Sequence, residues 1–259
     1  MVVFSLPSTI SIRKKRIEGK GTIHILGNGP SLKNDYSAFL SSLSASDSVM
    51  VVNLFAITAL YEELKPQYYI VADPSFFAGE KNETVSALIS KTKWDLQLFV
   101  PFAARKSPLI CSIKENKFIH VNYLLNSPIV DGCAGMNHFL YKHDMANPPY
   151  RNVLIAAIFY CIKMSFSRIV IWGADHSWHE DFIVGKDNIV YIDDKHFYGE
   201  NKKFAHLNRY GNHIKMHEEF ISIARALKVY HSLERFSQVY HCKIVNRSSK
   251  TFIDAFSRE

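Results

Sequence analysis

The sequence predicts an α/β fold built on a doubly wound, mostly parallel sheet. Two observations carry this reading. Short apolar runs rich in β-branched residues alternate with segments of helical periodicity, as in chains of β-α units. Most of these runs also stop at a polar residue or a glycine-rich turn, namely Gly27-Asn28, Asn53, Asp73, Asp175 and Asn246. Right-handed crossovers between parallel strands would set these ends along one rim, where a ligand is expected.

Residues 1–20 read as a basic leader with little core of its own, and 21–259 as one domain. The first strand, from Thr22, ends in Gly27-Asn28-Gly29-Pro30-Ser31. Gly27 and Gly29 admit positive φ and close backbone approach. Pro30 suits a turn or the first residue of a helix. Backbone N–H groups beyond such a strand can hold an anion, a nucleotide phosphate among them. The pattern is neither GxxxxGK[ST] nor GxGxxG, so a purely structural turn accounts for it equally well. Residues 48–53 repeat the strand-to-polar pattern, and 56–64 read as a helix with Leu60 and Leu64 among its apolar positions. Further strands are expected at 67–73, 96–101 and 118–122, the first of them running into Asp73-Pro74-Ser75.

Residues 126–149 are rich in Gly, Asn, Pro and His and read as a loop region facing substrate. Residues 152–164 predict a buried helix and 168–175 a central strand, followed by an irregular stretch over about 176–208. A helix over 212–229 is expected to bury Ile214, Phe220, Ile221, Ala224 and Leu227, before a last strand at 242–246. Ser248 or Ser249 would cap a terminal helix carrying Phe252, Ile253 and Phe256.

A chain of 259 residues, 47% hydrophobic and 21% charged, can bury a large core. Its net charge of +7 suits phosphorylated donors, acidic glycans, nucleic acid or anionic lipid, and equally plain solubility. The four cysteines, Cys111, Cys133, Cys161 and Cys242, form no CxxC and read as reduced thiols of a cytoplasmic protein. No apolar stretch of about 20 residues is present to span a bilayer. The Arg13–Arg16 cluster would suit peripheral contact with the inner membrane face, a solvated leader being the plainer account. Lys202 and Lys203 come with no RRM, KH or zinc signature, so nucleic acid is not an expected partner.

The segment Gly27-Asn28-Gly29-Pro30-Ser31-Leu32-Lys33 resembles the opening signature of the family-42 bacterial sialyltransferases, and later segments follow in the family's order. Val52-Asn53-Leu54-Phe55 is similar to a strand end whose asparagine lies near the nucleotide sugar, and Asp73-Pro74-Ser75-Phe76-Phe77 to an Asn-Pro-Ser-Leu-Phe-Phe segment. Arg151 precedes the apolar helix as a family arginine does, and Trp172-Gly173-Ala174-Asp175 resembles a Ser-Gly-Ile-Asp strand end. His196-Phe197-Tyr198-Gly199 resembles a segment whose histidine is the general base, and the tail over 243–249 is also similar. The resemblance spans roughly 22–256. It implies a Rossmann-like, GT-A-variant domain with a small lid subregion. It further implies metal-independent transfer, with inversion, of sialic acid or another nonulosonic acid from a CMP donor to a surface glycan. The family's frequent tetramers make a homo-oligomer one expectation. There are departures. Asp73 replaces an asparagine, and no tyrosine follows Asp175 until Tyr191 to hold the leaving phosphate, a role that would pass to His176, His179, Tyr191 or Tyr198. Pro66–Pro74 fits the related flagellin-modifying transferases and pterin pyrophosphokinase-like proteins at least as well.

Transfer from a CMP-sugar needs a base for the acceptor hydroxyl, donors for the leaving phosphate and exclusion of water. His196, one of twelve histidines, is the candidate base, and Arg151 and Tyr198 the candidates for handling charge. Gly27, Asn28, Gly29, Ser31, Asn53, Asp73, Ser75, Asp175, His176 and Tyr191 are the candidate donor-binding residues. For Asp175, Asn28 and Asn53, capping of the local turn is the competing account. His176, His179, Glu180 and Asp181 would be the ligands if a divalent metal took part, as in a pyrophosphokinase-like phosphotransferase. Their spacing is not HExxH and no metal is expected. A non-catalytic nucleotide- or glycan-binding module is the remaining alternative.

Overall fold

The computed structural model describes residues 18–79, 82–194, 202–205, 207 and 211–259. In chain order these form β1 (Thr22–Leu26), α1 (Leu32–Ser42), β2 (Ser48–Val52), α2 (Leu60–Leu64), β3 (Tyr68–Ile70) and α3 (Glu83–Lys91). Then come β4 (Leu96–Pro101), α4 (Pro108–Glu115), β5 (Ile119–Leu124), α5 (Ala134–Lys142), α6 (Val153–Lys163) and β6 (Arg168–Trp172). The chain continues with β7 (Phe182–Val184), β8 (Val190–Asp194), β9 (Lys202–Ala205), α7 (Met216–Val239) and β10 (Lys243–Asn246).

Seven strands make one parallel sheet in the order β10-β6-β1-β2-β3-β4-β5. The chain builds outward from β1 to β5 and returns to place β6 on the other side of β1. The direction of winding therefore reverses between β1 and β6, which is where open α/β sheets form a ligand crevice. Both faces are covered, as the strands' apolar runs require. Ile23, Ile25, Met50, Val52 and Ile70 pack against α6 and α7 through Ile155, Ile158, Ile162, Val229 and Leu233. On the opposite face Val49, Val51, Tyr69 and Leu98 pack against Phe39 of α1, Leu88 of α3 and Ile110 and Ile113 of α4. The fold is thus α/β and doubly wound, as the alternation of elements predicts.

Several local expectations are corrected. The segment expected as a helix over 56–64 begins as a 3-10 turn over Asn53–Ile57, and only Leu60–Leu64 is α-helical. The region 126–149 is not all loop, since α5 lies within it. The stretch after β6 is not irregular throughout. β7, β8 and β9 form a separate antiparallel sheet. Helix α7 runs ten residues beyond the expected end, and its buried face is Ala226, Val229, Tyr230, Leu233 and Phe236. Phe220 and Ile221, expected inside, are 52% and 47% exposed because the first turns of α7 extend past the sheet's cover. No terminal helix forms. Ser248 is buried and its hydroxyl accepts the Ala174 N–H, a tertiary contact that replaces helix capping. The cysteines are all free, with Cys161 and Cys242 buried and Cys111 and Cys133 exposed. Among the described residues no helix is long and apolar enough to cross a membrane. The leader through residue 17 lies outside the described residues.

Lys163 shows how α5 is attached. Its ammonium is buried at the end of α6, donates to the carbonyls of Tyr141 (2.7 Å) and Lys142 (2.8 Å), and pairs with Asp144 (2.8 Å). It satisfies the Lys142 carbonyl at the end of α5 and adds a donor to that of Tyr141, which also accepts the Asp144 N–H. Replacing Lys163 with Met is expected to destabilise the fold by about 1–3 kcal/mol in urea unfolding. An unchanged midpoint would mean that these contacts contribute nothing net.

Candidate functional site

The turn after β1 and the loop after β6 are locked together. Gly27 N–H donates to the Trp172 carbonyl and Gly29 N–H to the Gly173 carbonyl, each at 2.8 Å. The Asp175 carboxylate accepts from the Ser31 N–H (2.9 Å) and the Ser31 hydroxyl (2.5 Å). A Cβ on Gly27 would lie 2.4 Å from the Gly173 carbonyl oxygen, and one on Gly29 would lie 2.2 Å from an Asp175 carboxylate oxygen. The two glycines are needed for this close approach. Neither uses positive φ, which here belongs to Gly173 (φ 64°), so that part of the sequence expectation is corrected. Asp175 is buried, and desolvation raises its pKa despite the two bonds from Ser31. Its carboxylate caps the start of α1 from across the sheet. The anion expected at that helix start is therefore an internal side chain, and Asp175 caps α1 rather than the turn that follows it.

A second network lies beside it. Asn152 caps α6, its Oδ1 accepting the Ile155 N–H at 3.1 Å. The same oxygen accepts the Tyr230 hydroxyl at 2.9 Å. Tyr230 has one proton to give, so its oxygen must accept from His176 Nε2, 2.8 Å away. His176 therefore carries its proton on Nε2, and Nδ1 is a bare acceptor. The ring is buried and packs edge-on to Trp178 at 4.3 Å between centroids. Burial pulls its pKa from the ordinary 6.5 to about 3, so the imidazole is neutral. Its backbone is held in the left-handed region at φ 53°. Asn53 adopts the same region at φ 47°, which asparagine tolerates. Tyr69 fixes that turn, its hydroxyl accepting the Ala56 N–H at 2.8 Å and donating to the Asn53 carbonyl.

Asn53, Asn152 and His176 line a cleft of about 450 Å³ at the strand rim, together with Asn28, Gly29, Asp73, Asp175, Arg151 and Trp178. A second lobe of about 700 Å³ adjoins it, lined by Pro101, Phe102, Leu124, Asn126 and residues 128–131. Ala72, Pro74, Tyr150 and Arg151 belong to both lobes. Each lobe is in the range of small-molecule sites. Arg151 is exposed and its guanidinium has no partner among the described residues. Three buried polar atoms of the smaller lobe's lining residues also lack partners among the described residues: Asn53 Oδ1, Asn152 Nδ2 and His176 Nδ1. Each costs about 1–3 kcal/mol to leave unsatisfied.

The structure thus gathers Asn28, Gly29, Asn53, Asp73, Arg151, Asp175 and His176, which are far apart in sequence. Gly27 sits behind the lining. Ser31 faces a smaller hollow of about 310 Å³ with Glu180 and Lys250. Ser75 is exposed and serves the turn after β3, its N–H donating to Asp73 at 2.8 Å. Tyr191 lies outside the cleft lining, with its hydroxyl donating to Asp187 at 2.8 Å. His196 and Tyr198 lie outside the described residues. The proposed metal ligands do not converge. His176 is committed to Tyr230, the His179 ring packs on Phe252, and Glu180 pairs with Lys250. No group of three or more His, Cys, Asp or Glu among the described residues could hold a metal ion.

Two participants escape sequence reasoning. Asn152 carries a signal, an asparagine immediately before a strongly apolar helix, but that signal speaks only of capping. Tyr230 lies 78 residues away in the middle of α7 and carries none. Set against protein-family models, curated proteins and solved structures, the chain matches none of them.

His176 gives a pH signature with a defined sign. Its folded pKa lies below its unfolded value, so its contribution to stability is complete above about pH 6.5 and is lost as pH falls from there toward about 3. His176→Phe is expected to flatten the pH dependence of unfolding in that window, read by urea titrations at several pH values. A variant with the wild-type slope would contradict a neutral buried imidazole. Separately, Gly29→Ala should cost about 2–4 kcal/mol by prising Asp175 from Ser31, read as a lowered thermal midpoint.

Proposed function

We propose that this chain is an inverting glycosyltransferase that moves sialic acid or a related nonulosonic acid from a CMP donor to a glycan acceptor. The observation that carries the reading is convergence. Segments resembling the family's motifs, separated by as many as 147 residues between Asn28 and Asp175, line one cleft at the carboxyl rim of the sheet. The two adjoining lobes offer room for a donor and an acceptor, with Arg151 shared between them. Its guanidinium supplies the positive charge that a leaving phosphate or a sugar carboxylate requires. In this reading His196 takes the acceptor proton and Tyr198 assists with charge. The cytoplasmic setting and contact with the inner membrane face belong to the same proposal.

Calorimetric titration tests it. Wild-type protein is expected to bind CMP in preference to GMP and AMP, with and without a chelator. His196→Ala is expected to keep that affinity and to lower transfer from a CMP-sugar by about 10²–10⁴-fold. Purine nucleotide binding that needs a metal would overturn the proposal in favour of a phosphotransferase. Normal CMP binding with no transfer by wild type would favour a binding module.

A further inference from the structure

Among the described residues lining the smaller lobe, Trp178 presents the largest accessible ring. It is 38% exposed, whereas His176 is buried and Tyr150 half-buried. The ring stands on a fixed base. Trp178 opens a 3-10 turn that runs to Glu180. Glu180 N–H donates to the Ser177 carbonyl at 2.9 Å and Asp181 N–H to the Trp178 carbonyl at 3.1 Å. The C-terminal tail grips the same turn, because Lys250 pairs with Glu180 and the His179 ring packs edge-on to Phe252 at 4.3 Å. The indole itself rests against His176, whose ring is held by Tyr230. A fixed aromatic surface in a lobe otherwise rich in amides and carboxylates suits a planar group with an apolar face and a polar edge. A nucleobase has that form.

Position selects the base over the transferred sugar. Arg151 lines both lobes and Trp178 only the smaller one. Ser177 and Asp181, on either side of Trp178, also line the hollow beside Glu180 and Lys250, which shares no lining residue with the larger lobe. Trp178 therefore belongs to the side of the smaller lobe away from the larger. A CMP-sugar is ordered base, ribose, phosphate, sugar. With its phosphate at Arg151 and its sugar facing the larger lobe, its base falls on the Trp178 side. We infer that the base of a bound nucleotide stacks on the indole of Trp178. The inference rests on the nucleotide-donor reading of the cleft and adds to it the residue that binds the base. Every base has a π face, so this stack supplies affinity and leaves the choice among bases to other groups.

Calorimetry and tryptophan fluorescence with CMP and ribose 5-phosphate test this on wild type, Trp178→Ala and Trp178→Phe. The other two tryptophans, Trp94 and Trp172, line neither lobe, so a quench by ligand reports Trp178. Wild type is expected to bind ribose 5-phosphate about tenfold or more weakly than CMP, and only CMP should quench its fluorescence. Trp178→Ala should weaken CMP about tenfold, leave ribose 5-phosphate unchanged and abolish the quench. Trp178→Phe, which keeps a π face, should restore most of the CMP affinity without the quench. Equal wild-type affinity for CMP and ribose 5-phosphate would overturn the inference and leave the donor reading standing. So would CMP binding without a quench, unchanged CMP affinity in Trp178→Ala, or an equal loss for both ligands in that variant. Absence of CMP binding to wild type would instead bring down the donor reading and this inference with it. The wild-type titrations decide the matter even where a variant fails to fold.

Discussion

The rim of the sheet depends on one buried carboxylate. Asp175 holds the Ser31 N–H and hydroxyl, and so ties the loop after β6 to the turn after β1. The C-terminal tail closes over the same loop from the other side. Phe252 N–H donates to the Asp175 carbonyl at 2.9 Å, Ala174 N–H to the Ser248 hydroxyl at 2.8 Å, and the Thr251 hydroxyl to the Ala174 carbonyl at 2.6 Å. Asp35 of α1 accepts the Ser249 N–H at 2.9 Å, joining helix and tail directly. Gly173 and His176, both in the left-handed region, can persist there because these contacts over-determine them. His176 follows immediately, so its place in the cleft wall is set by this clamp.

The clamp also decides the electrostatics. In many doubly wound proteins the helix after the first strand offers its free N–H groups to a phosphate. Here Asp175 satisfies that position from within, and the cleft's cationic character rests with Arg151 on the far side. Asp73 and Asp181 stand in the same lining, so the smaller lobe is not a general anion trap. Its distinguishing chemistry is neutral: amides and an imidazole that burial keeps unprotonated. Neutral hydrogen-bonding groups in a partly enclosed site discriminate by geometry and by the cost of leaving them unpaired, which charge alone does not do.

Much of the fold was legible before any coordinates. The strand starting at Thr22 and those over 48–53, 96–101 and 168–175 are short apolar runs with β-branched residues and abrupt polar ends, and such runs have few alternatives when both sheet faces are covered. The errors cluster where local pattern and tertiary demand diverge. The Phe220 and Ile221 stripe has correct helical spacing, but only the later turns of α7 reach the sheet. The tail's Phe252, Ile253 and Phe256 resemble a helical face. Yet Ser248 and Thr251 are drawn into the Ala174 loop, and Asn246 N–H pairs with the Ser257 carbonyl at 2.9 Å, so no helix forms. The strands β7 to β9 were missed because they are only three, five and four residues long, too short for a period to show.

The sequence by itself determined the α/β class, the parallel sheet and the rim on which Asn28, Asn53, Asp73 and Asp175 meet, because strand ends and turn residues are local signals. Only the tertiary structure decided what those residues do there. Gly29 is a glycine because a carboxylate 146 positions later needs its space, and Asp175 is a cap because Ser31 lies against it. His176 is a fixed acceptor because Tyr230, on a different helix, spends its one proton on Asn152. Each of these facts is a relation between atoms distant along the chain, and no local periodicity encodes such relations.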